Sequence, residues 1–189
     1  MMLSVFRQIL VLENELKKLS SILAAGIFIA ASPVAAEQSV YGGLGVLTIA
    51  GREEGVNFST TNAVFTLGIN FNEHFAIEGE FSTVLSEDSI TLEGTSVDIG
   101  LKHWGVYARY NFVPVSEEFI LFGRLGYVTG TAEATAGGVS VSEAEDALGV
   151  GVGAEYRYSE KGSIRFDLGY ADFGDTTSNW ISIGNSWRF

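Results

Sequence analysis

The sequence predicts an all-β fold, an eight-stranded antiparallel up-and-down transmembrane β-barrel, and three observations carry that expectation. Beyond residue 37, apolar and small or polar residues alternate with period two, and no segment sustains a helical period. Short connections alternate with longer acidic ones. The chain also closes on an amphipathic aromatic strand, Trp180-Ile-Ser-Ile-Gly-Asn-Ser-Trp-Arg-Phe189. A water-exposed sheet rarely finishes on such an edge, because it invites aggregation.

Residues 1–36 read as an export signal. Lys17-Lys18 supply positive charge, Ile22 to Ala31 form an apolar run, and Val34-Ala35-Ala36 precede Glu37 as a small-residue cleavage pattern. The apolar run is too short for a spanning helix, which needs roughly 20 residues. Glu13 and Glu15 are out of place ahead of such a signal, so residues 1–15 read as a mis-assigned upstream extension. The remaining domain, 37–189, is one barrel domain.

The whole chain has 11 Lys+Arg and 23 Asp+Glu. Setting aside Arg7, Lys17, Lys18, Glu13 and Glu15 leaves 8 bases against 21 acids, a net charge of −13 for 37–189. That balance argues against nucleic acid or an anionic membrane surface as electrostatic partners. With no cysteine there is no disulfide framework and no thiolate metal site.

The first strand, about Ser39 to Ile49, is ambiguous in facing, because Val40/Leu44/Val46 compete with Tyr41/Leu47/Ile49. The second sets Ala63, Phe65, Leu67, Ile69 and Phe71 against Asn62, Thr66, Gly68 and Asn70. The third sets Phe75, Ile77, Gly79 and Phe81 against Ala76, Glu78, Glu80 and Ser82. The fourth sets Trp104, Val106, Ala108, Tyr110 and Phe112 against Gly105, Tyr107, Arg109 and Asn111. The fifth is less clean, with Ile120 and Phe122 falling on the side of Arg124. The sixth sets Leu148, Val150, Val152, Ala154, Tyr156 and Tyr158 against glycines, Glu155 and Arg157. The seventh sets Ile164, Phe166, Leu168 and Tyr170 against Arg165, Asp167, Gly169 and Ala171; the eighth is the C-terminal segment.

Between strands, Asn72-Glu73-His74, Val113 to Glu118 and Ser159 to Gly162 are short. Ala50 to Thr61, Thr83 to Ser96 and Thr131 to Glu145 are expected as longer acidic loops, and Asp172 to Asn179 as a brief one. Short periplasmic turns and longer extracellular loops belong to membrane barrels. A soluble lipocalin-like barrel or sandwich is the competing fold. The polar faces are rich in Gly, Ala and Ser, which suit a crowded interior better than a solvated surface. Phe71, Phe75, Tyr110, Phe112, Phe119, Tyr156, Tyr158, Trp187 and Phe189 also flank the short turns, as an interfacial girdle would.

The leader, the eight strands, Trp104-Gly-Val-Tyr-Ala-Arg-Tyr-Asn-Phe112, Leu121-Phe-Gly-Arg-Leu-Gly-Tyr127 and the terminal Trp-Arg-Phe together resemble the small outer-membrane β-barrel family of the OmpA/OmpX type, with its porin-like barrel domain. The resemblance implies residence in the bacterial outer membrane. Its expected partners are outer-membrane lipids, periplasmic chaperones and the barrel assembly machinery, with Phe189 part of the assembly signal. A monomer is expected, without a peptidoglycan-binding domain. Fold does not fix activity.

Some small outer-membrane barrels modify lipid A by acyl transfer with His, Ser and an acid. Around His103 no Ser stands two residues away on the same strand face, so an interior polar residue is the better reading. His74 sits in a short turn beside Glu73. Glu87-Asp88 with Glu93, and Glu143-Ala-Glu145-Asp146, lack the spacing of a dedicated Ca²⁺ loop. No cofactor, metal or catalytic residue is expected. A surface ligand met through the acidic loops remains open.

Eight charged residues fall on the expected inward faces: Glu78, Glu80, Arg109, Arg124, Glu155, Arg165, Asp167 and Arg188. Each lies near a short turn or the C-terminus, so they should share one depth in the periplasmic half and form an ionic network that plugs the barrel. The expected function is a non-enzymatic envelope protein with a structural or surface-interaction role, the alternative being a narrow or gated channel for small solutes.

Overall fold

The computed structural model describes residues 39–53, 56–92, 95–112, 116, 118–174 and 176–189. The expected leader, and the cleavage between Ala36 and Glu37, lie outside the described residues. Alternation governs what remains. The strands are β1 (Ser39–Glu53), β2 (Val56–Asn70), β3 (Phe75–Ser86), β4 (Asp88–Leu92), β5 (Thr95–Asn111), β6 (Phe119–Ala136), β7 (Val139–Arg157), β8 (Gly162–Asp172) and β9 (Thr176–Arg188).

All pairings are antiparallel between chain neighbours, and two further ladders close the sheet. β1 pairs β9 from Tyr41↔Arg188 to Glu53↔Thr176. β3 pairs β5 from Phe75↔Tyr110 to Phe81↔Trp104, and β4 continues along the same β5 strand from Asp88↔Ile99 to Leu92↔Thr95. β3 and β4 are therefore one barrel strand interrupted at Glu87, and the result is a closed eight-stranded barrel. Closure leaves no edge within the membrane, where unpaired backbone groups cannot be tolerated.

Outward-facing side chains form an apolar belt, including Leu44, Leu67, Phe81, Val106, Leu125, Val152, Leu168 and Ile183, each at least one-third exposed. In water such a surface would be a liability; in lipid it is the stabilising face. Aromatic residues gather at the end bearing the short turns and both strand termini. There Tyr110 packs edge-on against Phe75 and Phe112, with ring centroids 5.0 and 5.6 Å apart. The β1 ambiguity resolves with Tyr41, Leu47 and Ile49 inside and Val40, Leu44 and Val46 outside. In β6, Ile120, Phe122 and Arg124 are all buried in the lumen.

The described residues of the three expected long loops are instead mostly strand. β1 and β2 stay paired to Glu53↔Val56, β4 and β5 to Leu92↔Thr95, and β6 and β7 to Ala136↔Val139. At the last tip, Gly137 and Gly138 both take positive φ, +57° and +84°, the backbone of a two-residue hairpin turn that matches strand twist. Ladder bonds to one neighbour hold these Thr-, Ser-, Ala- and Val-rich segments together, and water can meet the amides on the open side: β7 pairs β6 from Val139 but β8 only from Gly149. At ~3.3 Å per residue, the 18 residues of β6 span roughly 60 Å along the strand. A tilt of about 40° and an apolar band of ~25 Å leave the β6–β7 hairpin well beyond the bilayer.

Candidate functional site

Inward-pointing residues fill the barrel in two layers. The lower one, near the short-turn end, is ionic. Glu78 on β3 is fully buried and receives hydrogen bonds from Tyr41 Oη (2.5 Å), Arg109 Nη1 (3.1 Å), Arg165 Nη1 (2.5 Å) and Arg165 Nη2 (2.9 Å). Glu80, one pleat further in, accepts from Arg124 Nη1 at 2.6 Å and lies 2.8 Å from His103 Nε2. Asp167 takes a two-pronged contact from Arg165, at 2.7 and 2.8 Å. Glu155 binds Arg109 Nη2 at 2.7 Å, Ser163 Oγ at 2.9 Å and Arg188 Nη2 at 3.4 Å.

Arg124 joins the two halves, 4.0 Å from Glu78 and 3.5 Å from Asp167. Its Nε finds no well-aligned acceptor, so the Asp167 contact is electrostatic rather than a hydrogen bond. All eight charged residues named from the sequence thus meet in one connected network; Arg188, at its lower margin, is the most exposed. Planar guanidinium forks suit such bidentate bonding, and pairing offsets the cost of removing these charges from water.

Sequence reasoning missed several members of this layer. Phe122 lies between two cations, its ring centre 4.0 Å from the Arg109 guanidinium and 4.6 Å from that of Arg165. Tyr107 lies against one cation, its ring centre 4.5 Å from the Arg124 guanidinium. Asn111 accepts from Arg109 Nε at 2.7 Å. The available signal was the break in the β6 pattern: an aromatic residue on a charged face belongs beside cations. The large lumen side chains also need space beneath them. A Cβ at Gly68 would overlap the Tyr41 ring, one at Gly153 the Phe122 ring, and one at Gly169 the Trp180 indole. Glycine on these inward faces lets aromatic rings lie flat against the neighbouring strand.

Above the ionic layer the lumen turns apolar. Leu47, Ile49, Phe58, Val64, Leu101, Tyr107, Val128, Ala147, Ala171 and Trp180 form one buried cluster, with Ile99 and Phe173 against it. Asn62 Nδ2 and Thr60 Oγ1 donate to the Leu101 carbonyl at 2.6 and 3.2 Å, tying β2 across to β5. His103 spans the boundary, its ring 5.3 Å from that of Trp180. Ser82 Oγ accepts the His103 backbone N–H at 2.8 Å, and the imidazole Nε2 is engaged by Glu80, so these three do not form a nucleophile–base pair. Among the described residues no group of three or more His, Asp or Glu could hold a metal ion. Phe189 lies outside the lumen at the short-turn rim, exposed, with its backbone N–H on the Val40 carbonyl at 2.9 Å.

A closed antiparallel barrel with a lipid-facing apolar belt and a charged interior defines a small integral membrane β-barrel protein. The family model of the outer membrane protein beta-barrel domain matches residues 21–189, and the chain belongs to that family; its location is the bacterial outer membrane. No curated relative matches the sequence. Among solved structures, Ail, the attachment invasion locus protein of Yersinia pestis, is 20% identical with a TM-score of 0.60, over 81% of this chain and 99% of that one. Ail has also been solved in complex with the heparin analogue sucrose octasulfate. Neisserial surface protein A is 14% identical with a TM-score of 0.65, over 79% of this chain and 97% of its own. OprG from Pseudomonas aeruginosa is 14% identical with a TM-score of 0.57, over 82% and 96%. At such identities the likeness is one of fold.

Proposed function

We propose that this protein is a closed, non-enzymatic barrel that serves the cell envelope and meets other molecules at the surface through its protruding hairpins. The observation that carries this reading is the filled lumen. An ionic layer, with Glu78 bonded to two arginines and a tyrosine, lies under an apolar cluster, and an eight-stranded barrel has little width to spare around either. A solute would have to break several buried charge pairs to pass.

The same reading treats Phe189 as part of the signal read by the assembly machinery and residues 1–36 as a removable leader. The hairpins extend beyond the apolar belt and carry Asp88, Asp98, Glu133, Glu143, Glu145 and Asp146 against Arg52 and Lys102. A sulfated ligand of the kind bound to Ail would be repelled by this surface, so a cationic partner fits this chain better. Single-channel recording in planar bilayers tests the closed lumen. Purified protein should give no sustained ohmic current, whereas steady conductance steps in most insertions would favour a channel.

A further inference from the structure

The β6–β7 hairpin stands above the membrane with one side unpaired. β7 is laddered to β6 from Val139 to Tyr156, but its other neighbour, β8, joins it only at Gly149. Phe173, just after β8, reaches Gly130, the residue opposite Glu145, so the free run of edge is Val139 to Ala144 with that ring as its floor. Along this run every second residue turns its N–H and C=O toward open space. The far edge of the same protruding sheet is not equivalent. There β4 meets β2, whose Ser59 N–H donates to Asp88 Oδ2 at 2.8 Å.

The hairpin is also two-faced. Ile99, Ala134 and Val141 are direct cross-strand neighbours on the side that continues the lumen wall, and Ala136 and Val139 form the next pair outward. The opposite side carries Asp98, Thr135 and Ser140. Val139 and Val141 are 68% and 67% exposed, so the apolar rows run out at the open edge with nothing beside them among the described residues. One pleat nearer the membrane Glu143 is exposed on the same side, and no Lys or Arg lies between Val139 and Leu148.

We propose that the open edge of β7 receives an extended segment of a partner protein as an added antiparallel strand, with aliphatic side chains beside Val139 and Val141 and a lysine or arginine beside Glu143. Strand addition satisfies backbone groups that any sequence can offer; the side chains that alternate with them select the partner. The apolar rows ask for aliphatic residues at every second position, and the carboxylate for a cation at the next. A second copy of this chain fits poorly. In the two antiparallel registers that overlap the free run most fully, Glu143 of one copy would lie against Val139 or Val141 of the other, a carboxylate covered by an aliphatic. The inference rests on the reading that the protruding hairpins meet cationic partners, and it names the form such a partner takes.

The probe is an acetylated and amidated heptapeptide whose odd positions run lysine, lysine, valine, valine and whose even positions are threonine. It is titrated into the full barrel, purified from outer membranes in maltoside micelles, and followed by calorimetry and by amide hydrogen exchange of β7. Saturable 1:1 binding is expected, with new protection at alternate amides between Val139 and Ala144. Two N-methylated probes read the backbone, one methylated on the threonines and one on the lysines and valines. In an added strand one set of amides faces β7 and the other faces away, so one probe should bind as the unmethylated peptide does and the other should be weaker by about ten-fold or more. A peptide of the same composition with like residues grouped should be weaker by a similar factor. Glu143→Lys should weaken the lysine probe and strengthen its glutamate counterpart. The proposal is overturned if the grouped peptide binds equally well, if both methylated probes bind or both fail, if β7 gains no protection, or if Glu143→Lys binds as the parent barrel does. A concentration-dependent dimer of the free barrel, protected along β7, would overturn it in favour of a second copy. Grouped and alternating peptides that bind alike would keep the hairpins as a surface for cations while removing strand addition; if neither binds, both ideas fall, and bilayer conductance judges the closed lumen separately.

Discussion

Glu78→Gln keeps the shape of the side chain at the centre of the ionic layer and removes only its charge. Three of the four hydrogen bonds to the Glu78 carboxylate come from guanidinium groups. A hydrogen bond to a charged partner is worth about 1.5–3 kcal/mol and a neutral one about 0.5–1.5. The arginines stay charged and the amide oxygen can keep the contacts to Oε1, so the direct loss is the Oε2 acceptor of Arg165 Nη2, where the amide turns a donor toward a donor at a cost of about 1–3 kcal/mol. Leaving Arg109 and Arg165 without the buried counter-charge they share raises the total to about 3–5 kcal/mol. Arg165→Met should cost a similar amount, because it strips partners from both Glu78 and Asp167. Combined, the two changes remove opposite charges together, so the double variant should be less destabilised than the sum by about 1–3 kcal/mol. Reversible urea unfolding in lipid vesicles, followed by tryptophan fluorescence, measures all three variants. A single-variant cost below about 1 kcal/mol, or additivity within about 0.5 kcal/mol, would refute the idea that these groups act as one buried network.

Deleting Phe189 should sharply lower the amount of barrel in the outer membrane while barely changing unfolding of refolded protein, since the ring lies exposed at the rim; equal steady-state levels by immunoblot would remove it from the assembly signal. Gly169→Val should cost on the order of 1–3 kcal/mol, because the added carbons overlap the Trp180 indole, and a blue or red shift of the Trp180 emission should accompany the loss. Gly137→Ala, at a positive φ of +57° but with open space around it, should cost only about 1 kcal/mol, read as local hydrogen exchange at the hairpin tip with the barrel unaffected. Edman sequencing of protein recovered from outer membranes should begin at Glu37; a start upstream of Ala36 would reject the leader reading.

Much of the fold was legible because a barrel strand has a period of two and faces two unlike environments. Leu67 against Gly68, or Phe166 against Asp167, states inside and outside in adjacent letters, and lipid enforces that contrast as strictly as any core. The same logic named the eight lumen charges by parity alone. It faltered where the contrast faded. Above the membrane the β6–β7 hairpin is polar on its outward face, so Thr131 to Glu145 read as loop, although Gly137-Gly138 carried the turn signal and the alternation of Ala and Thr the strand. Strand β1 was undecided because both of its faces are apolar, one against lipid and one, through Leu47 and Ile49, against the upper core.

What the sequence could not hold was who meets whom across the lumen. Arg109 and Arg124 are direct cross-strand neighbours, a like-charge pair that local reasoning would count as unfavourable. Glu78 is bonded to Arg165, 87 residues away and four strands around the barrel, on the opposite wall. Only closure at the chosen register brings those walls within reach of two side chains, and only then do Phe122 and Tyr107 find cations to lie against. Alternation determined which side chains enter the barrel; ring closure, which fixes its diameter and the depth of each strand, decided their partners.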